Sequence, residues 1–184
     1  MNKAYATMRD FWLDITNLKH KEEVPQLGPN KICVAGVEMA ASDDQGKLKH
    51  ILIVASSLGN ASVYFENNSP SGIGGFTGGA TSGPVRDKAL HLLQTAAKMA
   101  DKLPVVTQLP THAGPADITL FGVSAEGQLR AVSIPETQVR MPENEWYAFF
   151  AYSQQLLGAF RTVQEQTQAT TSTLAKDATA ETKA

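Results

Sequence analysis

The stretch Ser69-Pro70-Ser71-Gly72-Ile73-Gly74-Gly75-Phe76-Thr77-Gly78-Gly79-Ala80-Thr81-Ser82-Gly83 divides the chain into two halves of different character. The residues before it read as a helix and then strands. The residues after it open with the clearest amphipathic helix of the sequence, started by Pro84. Glycine permits positive φ and close backbone approach, at an entropic cost on ordering. A glycine-rich loop that feeds a helix N-terminus also aims backbone N–H groups and a positive dipole end at any anion placed there. The stretch is therefore read as a loop, with a candidate ligand position at its far end.

Working back from it, Ser62 to Glu66 forms a short strand behind the turn Leu58-Gly59-Asn60. Lys47 to Ser57 is a longer strand, and Ser42-Asp43-Asp44-Gln45-Gly46 is a turn by composition. Lys31 to Ala41 is almost wholly apolar, as suits a strand covered on both faces. Three strands joined by short turns make an antiparallel meander. Ahead of them, Tyr5, Met8, Phe11, Trp12, Ile15 and Leu18 recur at helical spacing, and Lys19 to Asn30 reads as an exposed connection.

Working forward, Val85, Ala89, Leu92, Leu93, Ala96, Met99, Ala100 and Leu103 line the buried face of a helix that Pro104 stops. Pro104 to Asp117 is mostly loop, with Val105 to Gln108 a candidate edge strand. Ile118 to Ser124 and Gln128 to Ile134 flank Ala125-Glu126-Gly127 as a hairpin. Pro135 to Pro142 is a connection. A last helix is expected from Pro142 or Glu143, with Trp146, Phe149, Phe150, Leu156, Leu157, Phe160 and Val163 on its apolar side. Residues 164–184 are rich in Thr, Ala and Gln, and are read as a frayed or disordered tail.

The resulting fold class is α+β. One domain over 1–163 carries a mainly antiparallel sheet of about five or six strands with three helices, in the order α-β-β-β-α-β-β-α. That order is similar to the small profilin-like and roadblock-like scaffolds, an analogy of element order that carries no function.

Composition narrows the function classes. A net charge of −2 supplies no basic field for nucleic acid, and Lys47 and Lys49 make only a small strand-face patch. Cys33 is the single cysteine, so no disulfide forms within the chain. Arg9, Asp10 and Asp14 interrupt the N-terminal apolar residues, so no signal-peptide pattern is seen. A cytoplasmic chain without a membrane partner is the expectation.

The chemical motifs are weak. Gly72 and Gly74 are followed by Thr77 where a dinucleotide fingerprint needs glycine, and Gly83-Pro84-Val85 replaces the Gly-Lys-Ser/Thr of a P-loop. Gly79-Ala80-Thr81-Ser82-Gly83 has the outline of a nucleophile elbow, but lacks the strand immediately before it. His20, His50, His91 and His112 show no metal-ligand spacing, so no metal or cofactor is expected. A ligand or anion site remains at Gly74, Gly75, Gly78, Gly79, Thr81, Ser82 and Gly83, against the plainer reading of a capped helix and a loop. The last helix carries aromatic residues on more than one face, which calls for burial on two sides or for a partner. Trp146, Tyr147, Phe150 and Phe160 are its candidate interface.

Two functions are expected on these grounds. The first is a non-enzymatic interaction or adaptor protein that self-associates as a homodimer, or binds a protein partner, through that helix. The alternative is a small-ligand or anion-binding domain, with or without catalysis, that uses the glycine-rich loop 71–83.

Overall fold

A computed structural model describes residues 1–18, 25–78, 83–110 and 116–181, with side chains through 168. Helix α1, Lys3–Leu13, is capped by Asn2, whose side chain accepts from the Tyr5 N–H at 2.9 Å. Strands β1 (Ile32–Ser42), β2 (Leu48–Ser56), β3 (Ala61–Glu66) and β4 (Ile73–Gly78) come next, then α2 (Gly83–Met99). The hairpin β5 (Asp117–Ser124) and β6 (Leu129–Pro135) leads into the single turn α3 (Glu136–Val139) and the long α4 (Tyr147–Glu181). The sheet has six strands in the order β4-β3-β2-β1-β5-β6, and every pairing is antiparallel. The α+β class and the antiparallel sheet expected from the sequence hold, and the element order holds apart from the added strand β4 and the short helix α3. No described helix is long and apolar enough to cross a membrane.

β1 lies in the middle of the sheet and is buried along most of its length, which explains its nearly unbroken apolar sequence. Its even-numbered residues face α1 and its odd-numbered ones face α2 and α4. A bulge between Ile32 and Val34 breaks that alternation, so Cys33 and Val34 both reach the α1 side. The turn into β2 is fastened by Asp43, whose carboxylate accepts from the N–H groups of Lys47 (2.9 Å) and Gln45 (3.0 Å). These bonds, the one from Lys47 foremost, hold the Asp43 carboxyl below its ordinary range.

The sheet is covered unequally. On one face α2 and α4 pack together over Val37, Ile53, Ala55, Val63, Ile118 and Leu120. On the other, Tyr5 and Trp12 of α1 lie over Leu52, Val54 and Phe121, and Leu109 fills in beside Phe121 and Ala131. Gly36 sits at the centre of that second layer. A Cβ there would stand 2.5 Å from the Phe121 ring and 2.6 Å from the Ile53 carbonyl oxygen. Glycine at 36 is therefore what lets the Phe121 ring rest against the strand.

Three local expectations change. Ile73–Gly78 is a paired strand and not part of a loop. The last helix begins at Tyr147, after the expected Pro142 or Glu143, because Asn144 turns the chain first. Its side chain accepts from Trp146 N–H at 2.9 Å and its carbonyl from Tyr147 N–H at 3.0 Å. Val105 makes one isolated bridge to Arg130 and adds no strand.

Gly36→Ala should destabilise the protein by roughly 1–3 kcal/mol in urea unfolding, since neither ring nor carbonyl can retreat without disturbing the core. Gly158→Ala, in α4 with open space around the added carbon, should stabilise by about 0.5–1 kcal/mol in the same assay.

Candidate functional site

β4 has the sequence Ile-Gly-Gly-Phe-Thr-Gly, with no charge and little side chain of its own to pack. Its α4-facing side is held by aromatic rings from elsewhere. Phe76 lies 6.1 Å from Phe65 and stacks on Phe160 of α4 at 6.3 Å and 25°. The Phe65 ring rests on Gly74, where a Cβ would come within 2.5 Å of it. At Gly75 a Cβ would stand 2.3 Å from the Val63 carbonyl oxygen, so β3 and β4 approach in a way only glycine allows.

The α1-facing side of β4 is open. Ala4, Thr7 and Met8 of α1 look across Tyr64 towards Ile73, Gly74, Gly75 and Thr77, enclosing a cleft of about 440 Å³. Its lining is mainly apolar. Phe11 continues the same helical stripe and is 42% exposed.

The width of this cleft is set by a buried polar cluster beneath α1. Tyr5 donates its hydroxyl proton to Glu38 Oε1 at 2.9 Å, and Arg9 Nε lies 3.4 Å from the same oxygen. His50 gives both its backbone N–H (3.0 Å) and Nδ1 (2.6 Å) to Glu66 Oε2, and the Asn2 N–H goes to Glu66 Oε1. An ionised carboxylate only accepts, so Nδ1 carries the proton in that contact. Asn2 Nδ2 also donates to the Gly72 carbonyl at 2.6 Å, tying the start of α1 to the turn that begins β4. Burial, then the neighbouring Glu38, push the Tyr5 hydroxyl far above the usual phenol range. Burial is the largest influence on Glu66 and raises it, but the hydrogen bonds from His50 and Asn2 together outweigh it and hold the carboxyl below its ordinary value.

The ladder fixes which backbone groups β4 leaves over. The Ser56 N–H bonds the Asn60 carbonyl in the register of the β2–β3 pair, so the even-numbered residues of β3 bond β2 and the odd-numbered ones turn to β4. The Asn67 N–H to Gly72 carbonyl bond carries the same phase onwards. Gly74, Phe76 and Gly78 thus bond β3, whereas Ile73, Gly75 and Thr77 direct N–H and C=O outward, the Ile73 carbonyl also accepting from the Ser71 hydroxyl at 2.9 Å. No described strand lies beyond them. The other edge of the sheet is different. β6 carries Arg130, ends at Pro135, and is met along its outer side by residues 104–106, through Val106 N–H to Leu129 O (3.0 Å) and Ala131 N–H to Pro104 O (2.9 Å).

The residues singled out from sequence fall in several places. Gly74, Gly75 and Gly78 are in β4, and a Cβ at position 78 would lie 3.4 Å from the Phe160 ring. Gly83 is the first residue of α2, with open space beside it; Gly79, Thr81 and Ser82 lie outside the described residues. Trp146, Phe150 and Phe160 are buried within the chain, and Arg140 covers the Phe150 ring at 5.2 Å. Of the four aromatic candidates Tyr147 alone offers surface, at 37% exposure. His91 is exposed beside Tyr152, while His20 and His112 are outside the described residues. Among the described residues no three His, Cys, Asp or Glu side chains gather as metal ligands. Sequence reading missed Ala4, Thr7, Met8 and Tyr64 as cleft residues, because nothing in a helix stripe says which strand it overhangs. Comparison with protein-family models, with curated proteins and with solved structures finds no match to this chain.

Because the Glu66 carboxyl is held below its ordinary value of 4.5, its contribution to stability is present above that pH and is lost as pH falls through and below it. Urea unfolding of wild type should therefore weaken more steeply on acidification below pH 4.5 than that of Glu66→Gln. At pH 7 the variant should already be less stable by about 1–3 kcal/mol, for loss of a buried charge-assisted hydrogen bond. Equal acid slopes for the two proteins would remove Glu66 from this role.

Proposed function

We propose that this chain is a non-enzymatic interaction protein that receives an extended polypeptide on the open edge of β4. The added strand would bond the outward N–H and C=O groups of Ile73, Gly75 and Thr77. Its side chains on the α1 side would settle in the cleft under Ala4, Thr7 and Met8. Strand addition of this kind draws affinity from main-chain bonds and selectivity from pockets for alternate side chains.

The observation that carries the reading is the contrast between the two sheet edges. Exposed edges invite pairing and are commonly blunted by charge, by proline or by a covering segment. β6 has all three, and β4 has none among the described residues. The expected interface on α4 moves accordingly, since Trp146, Phe150 and Phe160 already spend their apolar area on the sheet and α2. A second reading is a small apolar ligand in the same cleft, supported by its volume of about 440 Å³, which lies in the usual range for ligand sites.

A random-peptide display selection against the wild-type protein should enrich extended sequences rich in β-branched and aromatic residues. Their binding should slow amide exchange at Ile73, Gly75 and Thr77, and should fall at least tenfold with Thr77→Lys, which places a charge on the edge. Binders indifferent to Thr77→Lys would overturn strand addition. Small apolar fragments that shift the Met8 methyl resonance without protecting the edge amides would favour the second reading.

A further inference from the structure

We propose that the strand received by β4 is β4 of a second copy of this chain, which joins two six-stranded sheets across a twofold axis at Gly75. This rests on the strand-addition reading and narrows it to one occupant.

The argument is the self-complementarity of the strand. Only the outward-facing residues Ile73, Gly75 and Thr77 can form hydrogen-bonded pairs with a new neighbour, so an isologous antiparallel pairing must set odd-numbered residues opposite odd-numbered ones. Centring on Gly75 is the arrangement that engages all three. It places Ile73 opposite Thr77 of the second copy, and Gly75 opposite its own equivalent. Shifting the centre to Gly74 or Phe76 leaves one outward residue beyond the partner's strand.

In the Gly75-centred register the side chains also agree. Ile73 and Thr77 are both β-branched and stand on the α1 side, a favourable cross-strand pair. On the α4 side Phe76 falls opposite Gly74 of the second copy. This repeats between chains what Phe65 already does within one, where a Phe ring lies over Gly74. The axis carries only Gly75, so no side chain holds the strands apart. Nothing on β4 is charged, and the net charge of −2 sets up little repulsion between copies.

The flanks fit the same symmetry. Ala4, Thr7 and Met8, with exposed Phe11 continuing their stripe, border the cleft on one side of the axis, and their equivalents border it on the other, so the two clefts become one apolar trough. An edge of this length with a partly open trough buries a modest area, and the association is accordingly weak and concentration-dependent.

Sedimentation of the full chain should show reversible passage from 19.7 kDa towards twice that mass as concentration rises from about 1 to about 300 μM, the range of a small interface. Amides of Ile73, Gly75 and Thr77 should gain protection over the same range. Thr77→Lys should remain monomeric with an unchanged circular dichroism spectrum. A measurement on the unmodified protein guards against a folding defect in that variant. A synthetic peptide of residues 71–78 should dissociate the dimer, and the same peptide N-methylated at Ile73, Gly75 and Thr77 should not. A dimer untouched by Thr77→Lys and by the peptide would overturn this pairing, and if the selected binders are also indifferent to Thr77→Lys, strand addition falls with it. A wild-type monomer throughout, whose selected peptides still bind in a Thr77→Lys-sensitive way, would overturn self-pairing alone and leave a heterologous strand as the occupant.

Discussion

One eleven-residue helix has to cover a sheet face that is six strands wide. At 1.5 Å per residue α1 spans about 16 Å, whereas six strands at about 4.8 Å spacing extend about 24 Å. The opposite face has no such shortage, because α2 and α4 lie side by side across it. The shortfall on the α1 side is met at one end only. There the segment after α2 brings Val106 and Leu109 over Phe121, Leu129 and Ala131 and covers the rim of β6. At the β3–β4 end nothing described takes that place, and the cleft is the consequence.

Where α1 settles is decided by polar groups more than by apolar ones. Glu38 and Glu66 are buried acids, and a buried charge is tolerable only with partners close by. Tyr5 and Arg9 answer Glu38; His50 and Asn2 answer Glu66. Each of these contacts is directional, so α1 cannot slide towards β4 to close the cleft without stranding one carboxylate or the other. A purely apolar interface would tolerate such a shift. The polar cluster therefore converts a geometric shortfall into a fixed opening.

Much of the fold was legible because its signals are local. The nearly unbroken apolar run Lys31 to Ala41 marks a two-faced strand, Asp43 to Gly46 marks a turn, and the stripe from Val85 to Leu103 marks a buried helix face. β4 was not legible, since alternation is written in side chains and Gly74, Gly75 and Gly78 have none. The rings that hold it are contributed from Phe65 and from Phe160, far away in sequence. The start of α4 depended on Asn144, whose turn chemistry a stripe of aromatic residues obscures. That stripe also illustrates a real ambiguity. Helical spacing records that a wide arc of α4 is covered, but burial by α2 and the sheet and burial by another molecule leave the same pattern. The Glu66–His50 and Glu38–Tyr5 pairs were equally hidden, because each joins residues that only strand register and helix docking bring together.

The glycines of β4 finally separate two ideas that sequence alone merges. Gly74 and Gly75 are required by neighbours inside the chain, the Phe65 ring and the Val63 carbonyl, so their presence needs no ligand. The same absence of side chains strips the outer edge of the bulk that shields other strands. An edge strand made of larger residues would bury part of its own backbone under its side chains; this one leaves Gly75 exposed between two β-branched neighbours. Close packing inward and accessibility outward are thus two results of one composition. On the strand-addition reading proposed above, the glycine content of the stretch would serve recognition through exposed main chain.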